Sequence, residues 1–308
     1  MDDMNDDIYK NISGVPQMAD SFVCYADILG YAQLSKDALN SGNGIAFLHR
    51  LRSALSAAYF NIRERLNSRY KRGFSMKVFT DNIVIGYPLY DPDFEQGEPE
   101  FAEILDIFKE LQITLAMKGF FLRGGIARGL HYMDDDIVFG EALLDAVSLD
   151  KRGGPPRLTL TSSVIQTVQK QLGFYGSVDY APQYEDILED ADGEYFINYL
   201  DEAFFAYPEG GIFFGLIEEH KESIIDGLKK YKAIPDVRAK FEWAARYHNF
   251  VCREFAEKNP IPTDPDADEF AATAAVEAQR LLDHLIDVES LAAGPARITL
   301  SPIRRDDY

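Results

Sequence analysis

Asp27 and Asp81 are the residues of this chain whose surroundings point most directly to chemistry. Each is delivered by an apolar, strand-like run: Asp27 by FVCYADILGY (Phe22 to Tyr31), Asp81 by KVFTDNIVIGY (Lys77 to Tyr87). A carboxylate on an apolar strand is costly unless something pairs with it. Two of them at strand ends point to a shared divalent cation, because Mg²⁺ and Mn²⁺ take carboxylate oxygens and then hold phosphates. A purely local reading competes on residue types alone: Asp27 caps a helix and Asp81 sits in a hairpin turn.

The elements that position these aspartates follow from periodicity. Residues 22–28 read as a buried strand, and residues 35–68 as helix, with Leu48, Leu51, Leu55 and Tyr59 recurring at three and four. Segments 75–79 and 83–87 flank Thr80-Asp81-Asn82, a tight hairpin. The acidic loop DPDFEQGEPE leads to a helix at 100–118. FLRGGIARG (121–129) is a strand loosened by Gly124, Gly125 and Gly129, where backbone approaches closely or bulges. A turn at 133–136 and a return strand at 137–139 precede the helix EALLDAVSLD, the loop KRGGPP and the strand RLTLT. Strands and helices alternate but two strands form a hairpin, so the expectation is α+β rather than a doubly wound parallel sheet. Beyond residue 162 one strand is expected within 195–205. Helices are expected at 214–231, 236–257 and 268–290, separated by loops with Pro235, Pro260, Pro262 and Pro265. The expected division is an N-terminal arm at 1–20, a core at 21–165 and a helical C-terminal region at 166–308.

Composition excludes several classes. The 308 residues carry a net charge of −20, which argues against a nucleic-acid or anionic-membrane surface, since both need clustered Lys and Arg. A nucleotide is not excluded, because metal and backbone N–H groups bind phosphate. The two cysteines, Cys24 and Cys252, have no metal-type spacing, and a cytoplasmic location is expected. The start MDDMNDD is not a signal peptide, and no apolar run approaches the ~20 residues of a membrane span.

The segment Lys77-Val78-Phe79-Thr80-Asp81 resembles the Lys-Thr-Ile-Gly-Asp stretch of class III nucleotidyl cyclases. Asp27-Ile28-Leu29-Gly30-Tyr31 is similar to that family's Asp-Ile-x-Gly-Phe. Leu122-Arg123-Gly124-Gly125-Ile126-Ala127-Arg128-Gly129 is similar to its Leu-Arg-Ile-Gly-Ile-x-x-Gly strand. Phe139-Gly140-Glu141-Ala142-Leu143 to Ala146 resembles its Gly-x-x-Val-Asn-x-Ala helix start. The four matches fall in the family's order over about residues 20 to 160, about half the chain. The resemblance implies a ferredoxin-like cyclase core, a homodimer with composite sites, and two divalent cations, Mn²⁺ or Mg²⁺. Asp27 and Asp81 match the metal aspartates, the carbonyl of Ile28 adds a ligand, and N–H groups from Leu29 through Gly30 to Tyr31 cradle the β- and γ-phosphates. Lys77 matches the lysine that reads the base.

The departures from the family are specific. The acidic residue paired with that lysine falls on Ile137, the transition-state asparagine on Leu144 and the arginine on Ser148. Arg123, Arg128, Lys151 and Arg152 are the candidate replacements for the missing charge. A sheet-end structural role competes for Arg123, and a solvated loop for Lys151 and Arg152. This divergent pattern, without sensor or membrane domain, resembles the bacterial pyrimidine cyclases of antiphage defence. It implies conversion of UTP to cyclic UMP and diphosphate, with cyclic CMP the close alternative and a non-catalytic nucleotide-binding pseudocyclase the alternative from another class. Phe22 and Tyr25 are candidates to fill the space left by a smaller base, with ordinary core packing as the competing reading. Other motifs fall away. Gly124-Gly125 lacks the Asp/Glu-Glu-Phe of diguanylate cyclases, and Asp134-Asp135-Asp136 reads as a solvated turn. DPDADE (264–269) has Glu269 where a calcium loop needs glycine. Trp243, Tyr247 and Phe250 share a helix face and read as core or dimer contact.

Overall fold

The computed structural model describes residues 8–11, 13–65, 74–91, 94–205, 211–263, 269–288 and 292–303. The acidic start of the arm, all but Glu269 of DPDADE and the last five residues of the tail lie outside the described residues. In chain order the elements are β1 (Ala19–Ile28), α1 (Tyr31–Asn40), α2 (Gly44–Arg65), β2 (Ser75–Phe79), β3 (Asn82–Pro88), α3 (Glu98–Ala116), β4 (Leu122–Met133), β5 (Val138–Gly140), α4 (Glu141–Asp150), β6 (Leu158–Leu160) and α5 (Ser162–Leu172). There follow α6 (Gln183–Asp186), β7 (Ile187–Glu189), β8 (Tyr195–Ile197), β9 (Phe204–Phe205), β10 (Gly211–Ile212), α7 (Phe214–Lys230), α8 (Pro235–Lys258), α9 (Glu269–Arg280) and β11 (Ala296–Arg297).

The apolar run of β1 is continuous because both its faces are covered. Phe22, Cys24, Ala26 and Ile28 face one core with side chains of α2 and α3, while Val23 packs on the other side with Ala142 and Ala146 of α4. β1 pairs antiparallel with β3 and with β4, and β3 pairs antiparallel with β2. β4 pairs parallel with β6, so the nine-stranded sheet is mixed, in the order β11-β7-β8-β6-β4-β1-β3-β2 with β5 on β4. The paired glycines of β4 are explained by close approach. A Cβ on Gly124 would overlap the backbone of Tyr25, and one on Gly125 would lie 2.7 Å from the Ala146 carbonyl, where α4 crosses the sheet.

The protein is mixed α/β with a mixed sheet and a largely helical C-terminal region. Two expectations change. The helix over 35–68 is two helices, broken at Ser41–Asn43 where Gly42 takes φ 76°. The C-terminal region also adds more strand than expected: β7, β8 and β11 extend the same sheet past residue 165. A second core lies under α7 and α8, built from Phe121, Phe196, Tyr199, Phe241, Trp243 and Tyr247 among others. Within it runs a directed hydrogen-bond chain. The Tyr199 hydroxyl lies 2.9 Å from His220 Nε2, His220 Nδ1 lies 3.0 Å from His248 Nδ1, and His248 Nε2 lies 3.1 Å from the His284 carbonyl. A carbonyl only accepts, so His248 carries its proton on Nε2 and His220 on Nδ1, and every donor points toward residue 284. No helix among the described residues is long and apolar enough to cross a membrane.

Lys109 of α3 ties the two halves together. Its ammonium lies 2.7 Å from Asp186, 3.3 Å from Asp106 and 3.6 Å from Glu202. More acid gathers here than one lysine neutralises. Burial first, and then neighbouring Asp186, push the Asp201 carboxyl up to about 7 against the pull of Lys109. A raised carboxyl binds a proton in the fold that the unfolded chain has already released, so stability falls as pH climbs from the ordinary carboxylate range to about 7. Asp201→Asn is therefore expected to raise the melting temperature at pH 8 and to leave it nearly unchanged at pH 4. Equal shifts at both pH values would refute the assignment.

Candidate functional site

Three chain segments are laced together where β1 ends. The Ile28 N–H donates to the Asp81 carbonyl at 3.1 Å, and the Leu29 N–H donates to the Phe121 carbonyl at 2.8 Å. In register, Asp27 faces Asn82 on β3 and Arg123 on β4. The chain then turns through Gly30, in left-handed backbone at φ 71°, into α1. Thr80, at φ 60°, shapes the β2–β3 turn and donates through Oγ1 to Asp81 Oδ1 at 2.7 Å. The Tyr25 hydroxyl donates to Asn82 Oδ1.

The charges are concentrated. Arg123 donates from Nε at 3.1 Å and from Nη2 at 2.9 Å, both to Asp27 Oδ2, and its Nε lies 3.1 Å from Asp150 Oδ1 at the end of α4. The Asp27 carboxyl is pushed up to about 6, first by burial and then by sharing a hydrogen bond with Asp81, while Arg123 opposes the shift. Burial raises Asp150 as well, with Asp81 adding to it and Arg123 and Lys240 opposing. The Tyr25 phenol is raised by burial and by the same three carboxylates. With every group ionised, Asp27, Asp81 and Asp150 outnumber Arg123 and Lys240 by one negative charge.

Among the described residues, no group of three or more His, Cys, Asp or Glu side chains is arranged to hold a metal. The donors that do converge are the two carboxylates of Asp27 and Asp81, close enough to share a proton. That set fits a hard dication of the Mg²⁺ type, which binds through one or two carboxylates plus substrate phosphates rather than in an all-protein cage. A buried carboxyl that resists ionisation is also one that a cation would relieve.

The other sequence candidates are distributed differently. Tyr25, Asp27, Asp81 and Arg123 come together. Leu29 does not offer its N–H to a ligand, since that N–H is spent on Phe121, and its side chain enters the second core. Ile28 is buried, and the Tyr31 ring packs on Phe47 at 6.1 Å. The N–H groups of Tyr31 and Ala32, in the first turn of α1, are the ones that face outward along the helix axis. Phe22 and Arg128 belong to the far end of the sheet. Phe22 stacks on Phe101 at 4.9 Å, and Arg128 pairs with Asp20 at 2.8 Å while bonding the Gln96 carbonyl. Five residues of strand separate Phe22 from Asp27 and Arg123 from Arg128, about 17 Å. Arg128 is therefore a structural cation in this chain.

Lys77 lies along edge strand β2, and Ile137 is exposed in the β4–β5 turn, so neither joins the Asp27 cluster within one chain. Lys77 acts electrostatically on Asp134, whose carboxyl is held down to about 2, chiefly by the Tyr132 hydroxyl and then by the N–H groups of Ile137 and Asp136. Leu144 is exposed, and Ser148 bonds its own helix at the Asp145 carbonyl. Arg152 pairs with Glu194 on the surface. Sequence reasoning missed Asp150, Asn82 and Lys240. Asn82 stood beside Asp81 in the turn. The glycine pair of β4 was the available signal for Asp150, because it marks where α4 crosses.

No family model matches the sequence, and no curated protein matches it.

The geometry makes Arg123 the brace between two carboxylates, and removing one member of a partly buried network strands the others. Arg123→Met is expected to lower stability by about 1–3 kcal/mol. Adding Asp150→Asn should recover a large part of that loss, because it removes one stranded charge. A double-mutant cycle by urea unfolding checks this, and additive losses would contradict the brace.

Proposed function

We propose that this chain is a nucleotidyl cyclase of the class III type, converting UTP to 3′,5′-cyclic UMP and diphosphate with two divalent cations, Mn²⁺ or Mg²⁺. The observation that carries the reading is the convergence of Asp27 and Asp81 beside Arg123. The central strand order β4-β1-β3-β2, all antiparallel, with α1 and α2 between β1 and β2 and α3 between β3 and β4, supports a ferredoxin-like core. In the reaction the ribose 3′-oxygen forms a bond to the α-phosphorus, the bond from that phosphorus to the diphosphate oxygen breaks, and the hydroxyl proton leaves to water. Divalent cations, when bound, lower the charge on the attacking and leaving oxygens. Asp27 and Asp81 would hold them, Arg123 fixes the rotamer of Asp27, and the opening N–H groups of α1 would meet phosphate oxygens.

Base reading falls to a second copy of the chain, because Lys77 and Ile137 stand apart from the aspartates. An isologous homodimer brings both sets together twice. Lys77 is a donor only. Ile137, which stands where the family's acidic partner falls, offers no side-chain acceptor for a base amino group. A lysine donor matched with an isoleucine in place of a carboxylate suits the carbonyls of uracil and disfavours the amino group of cytosine or adenine. The product would act as a second messenger in antiphage defence, in keeping with the sequence resemblance. A second reading, a nucleotide-binding pseudocyclase, is favoured by Leu144 and Ser148 in place of the polar charge stabilisers and by the hold of Arg123 on Asp27.

Incubation with each of the four nucleoside triphosphates and Mn²⁺, with product read by chromatography, decides between them. Cyclic UMP is expected to dominate. Dominant cyclic CMP would correct only the base, a dominant purine product would overturn the pyrimidine reading, and nucleotide binding without product would leave the pseudocyclase. Asp27→Ala and Asp81→Ala should each abolish product while the melting transition survives; near-normal turnover in either would remove the site.

A further inference from the structure

The C-terminal helices reach the aspartate cluster. Pro235 opens α8, where its missing N–H costs nothing. Phe241, two turns in, is the anchor. Its ring meets Phe121 edge-on at 5.6 Å and stacks on Tyr231 at 5.6 Å. It lies over Gly227 of α7, where any Cβ would overlap it. Phe121 is the residue whose carbonyl holds the Leu29 N–H, and Arg123 lies two residues beyond it. Lys240 therefore sits beside the loop that follows Asp27. Its ammonium lies within electrostatic reach of Asp27 and Asp150, together with Asp236 of its own helix and the guanidinium of Arg123. Burial and Arg123 lower its affinity for its proton. Among the described residues it makes no ion pair within 4.0 Å. A lysine has three donors, and no hydrogen bond to the neighbouring carboxylates occupies them among the described residues. Arg123, by contrast, donates twice to Asp27 and lies within ion-pair distance of Asp150.

We propose that Lys240 is a substrate-binding residue, supplied by α8, whose ammonium donates to the triphosphate of a nucleotide held at Asp27 and Asp81. This rests on the nucleotide reading of the site and adds to it the cation that Leu144 and Ser148 do not provide. The competing role is charge balance, with Lys240 merely offsetting Asp150. The two differ in what Asp150→Asn does. If Lys240 only balances Asp150, removing both charges restores function. If it meets phosphate, the loss remains.

The experiment is calorimetric titration of the full chain in Mn²⁺ with the 3′-deoxy triphosphates of all four bases, which bind without cyclising. Lys240→Gln is expected to weaken the best of these by about tenfold to a hundredfold, the range of a lost hydrogen bond to a charged group. Its melting transition should be unchanged, and Lys240→Arg should bind within about threefold of the native chain. Lys240→Gln with Asp150→Asn should bind as weakly as Lys240→Gln alone. Native-like binding by Lys240→Gln, or its recovery on adding Asp150→Asn, overturns the proposal while the nucleotide reading stands. No binding of any triphosphate by the native chain overturns both. Should Lys240→Gln fail to fold, Lys240→Met and Lys240→Arg carry the same comparison, and equal affinity of those two overturns the proposal.

Discussion

The guanidinium of Arg123 holds this structure together at the point that matters. It reaches from β4 across to Asp27 at the end of β1 and to Asp150 at the end of α4. Those residues belong to the centre of the sheet and to the helix covering it, so one side chain joins two layers. Without it, two half-buried carboxylates would face each other and Asp81 with only Lys240 in opposition. Such a cluster is stable only as a balance of opposite charges. Structural and chemical roles of Arg123 therefore do not separate, because the residue that keeps the fold from repelling itself also sets the orientation of Asp27.

Much of this was visible in the sequence, for reasons that can be traced. β1 could be read because a strand covered on both faces is apolar throughout, and the β2–β3 hairpin because Asp81 and Asn82 are turn formers between two β-rich runs. Asp27 and Asp81 converge because local sequence fixes both strand ends and the antiparallel pairing of β1 with β3 does the rest. Phe22 and Arg128 were grouped with them because residue type carries no information on how far along a strand a residue lies. Asp150 and Lys240 were hidden for another reason. Their places depend on contacts between residues distant in sequence: Gly125 under Ala146, and Phe121 against Phe241. No periodicity within α4 or α8 reveals which point of the sheet each helix crosses.

The same contacts change how the C-terminal half is understood. Read as sequence, it is a set of helices following a core. In the structure it lengthens the sheet through β7, β8 and β11 and encloses its own apolar interior. It is also joined to α3 by Lys109 and to the residue preceding β6 by the buried Arg157–Asp190 pair, which takes a further hydrogen bond from Trp243 at 2.6 Å. An ion pair with this degree of enclosure tolerates little displacement, so α8 cannot drift relative to the sheet without exposing it.

The chain of hydrogen bonds from Tyr199 to the His284 carbonyl acts as a rotational detent. Each of the two histidines has one donor and one acceptor in use, and each member of the chain lies on a different segment: the turn after β8, α7, α8 and the turn after α9. Advancing α7 or α8 by a single residue would swing its imidazole through about 100°. Two polar rings would then face hydrocarbon with nothing to replace the lost partners. Intermediate settings are excluded along with the next one, since a hydrogen bond weakens steeply once its angle closes. The helix pair thus has one angular position, and the lysine one residue ahead of Phe241 inherits it.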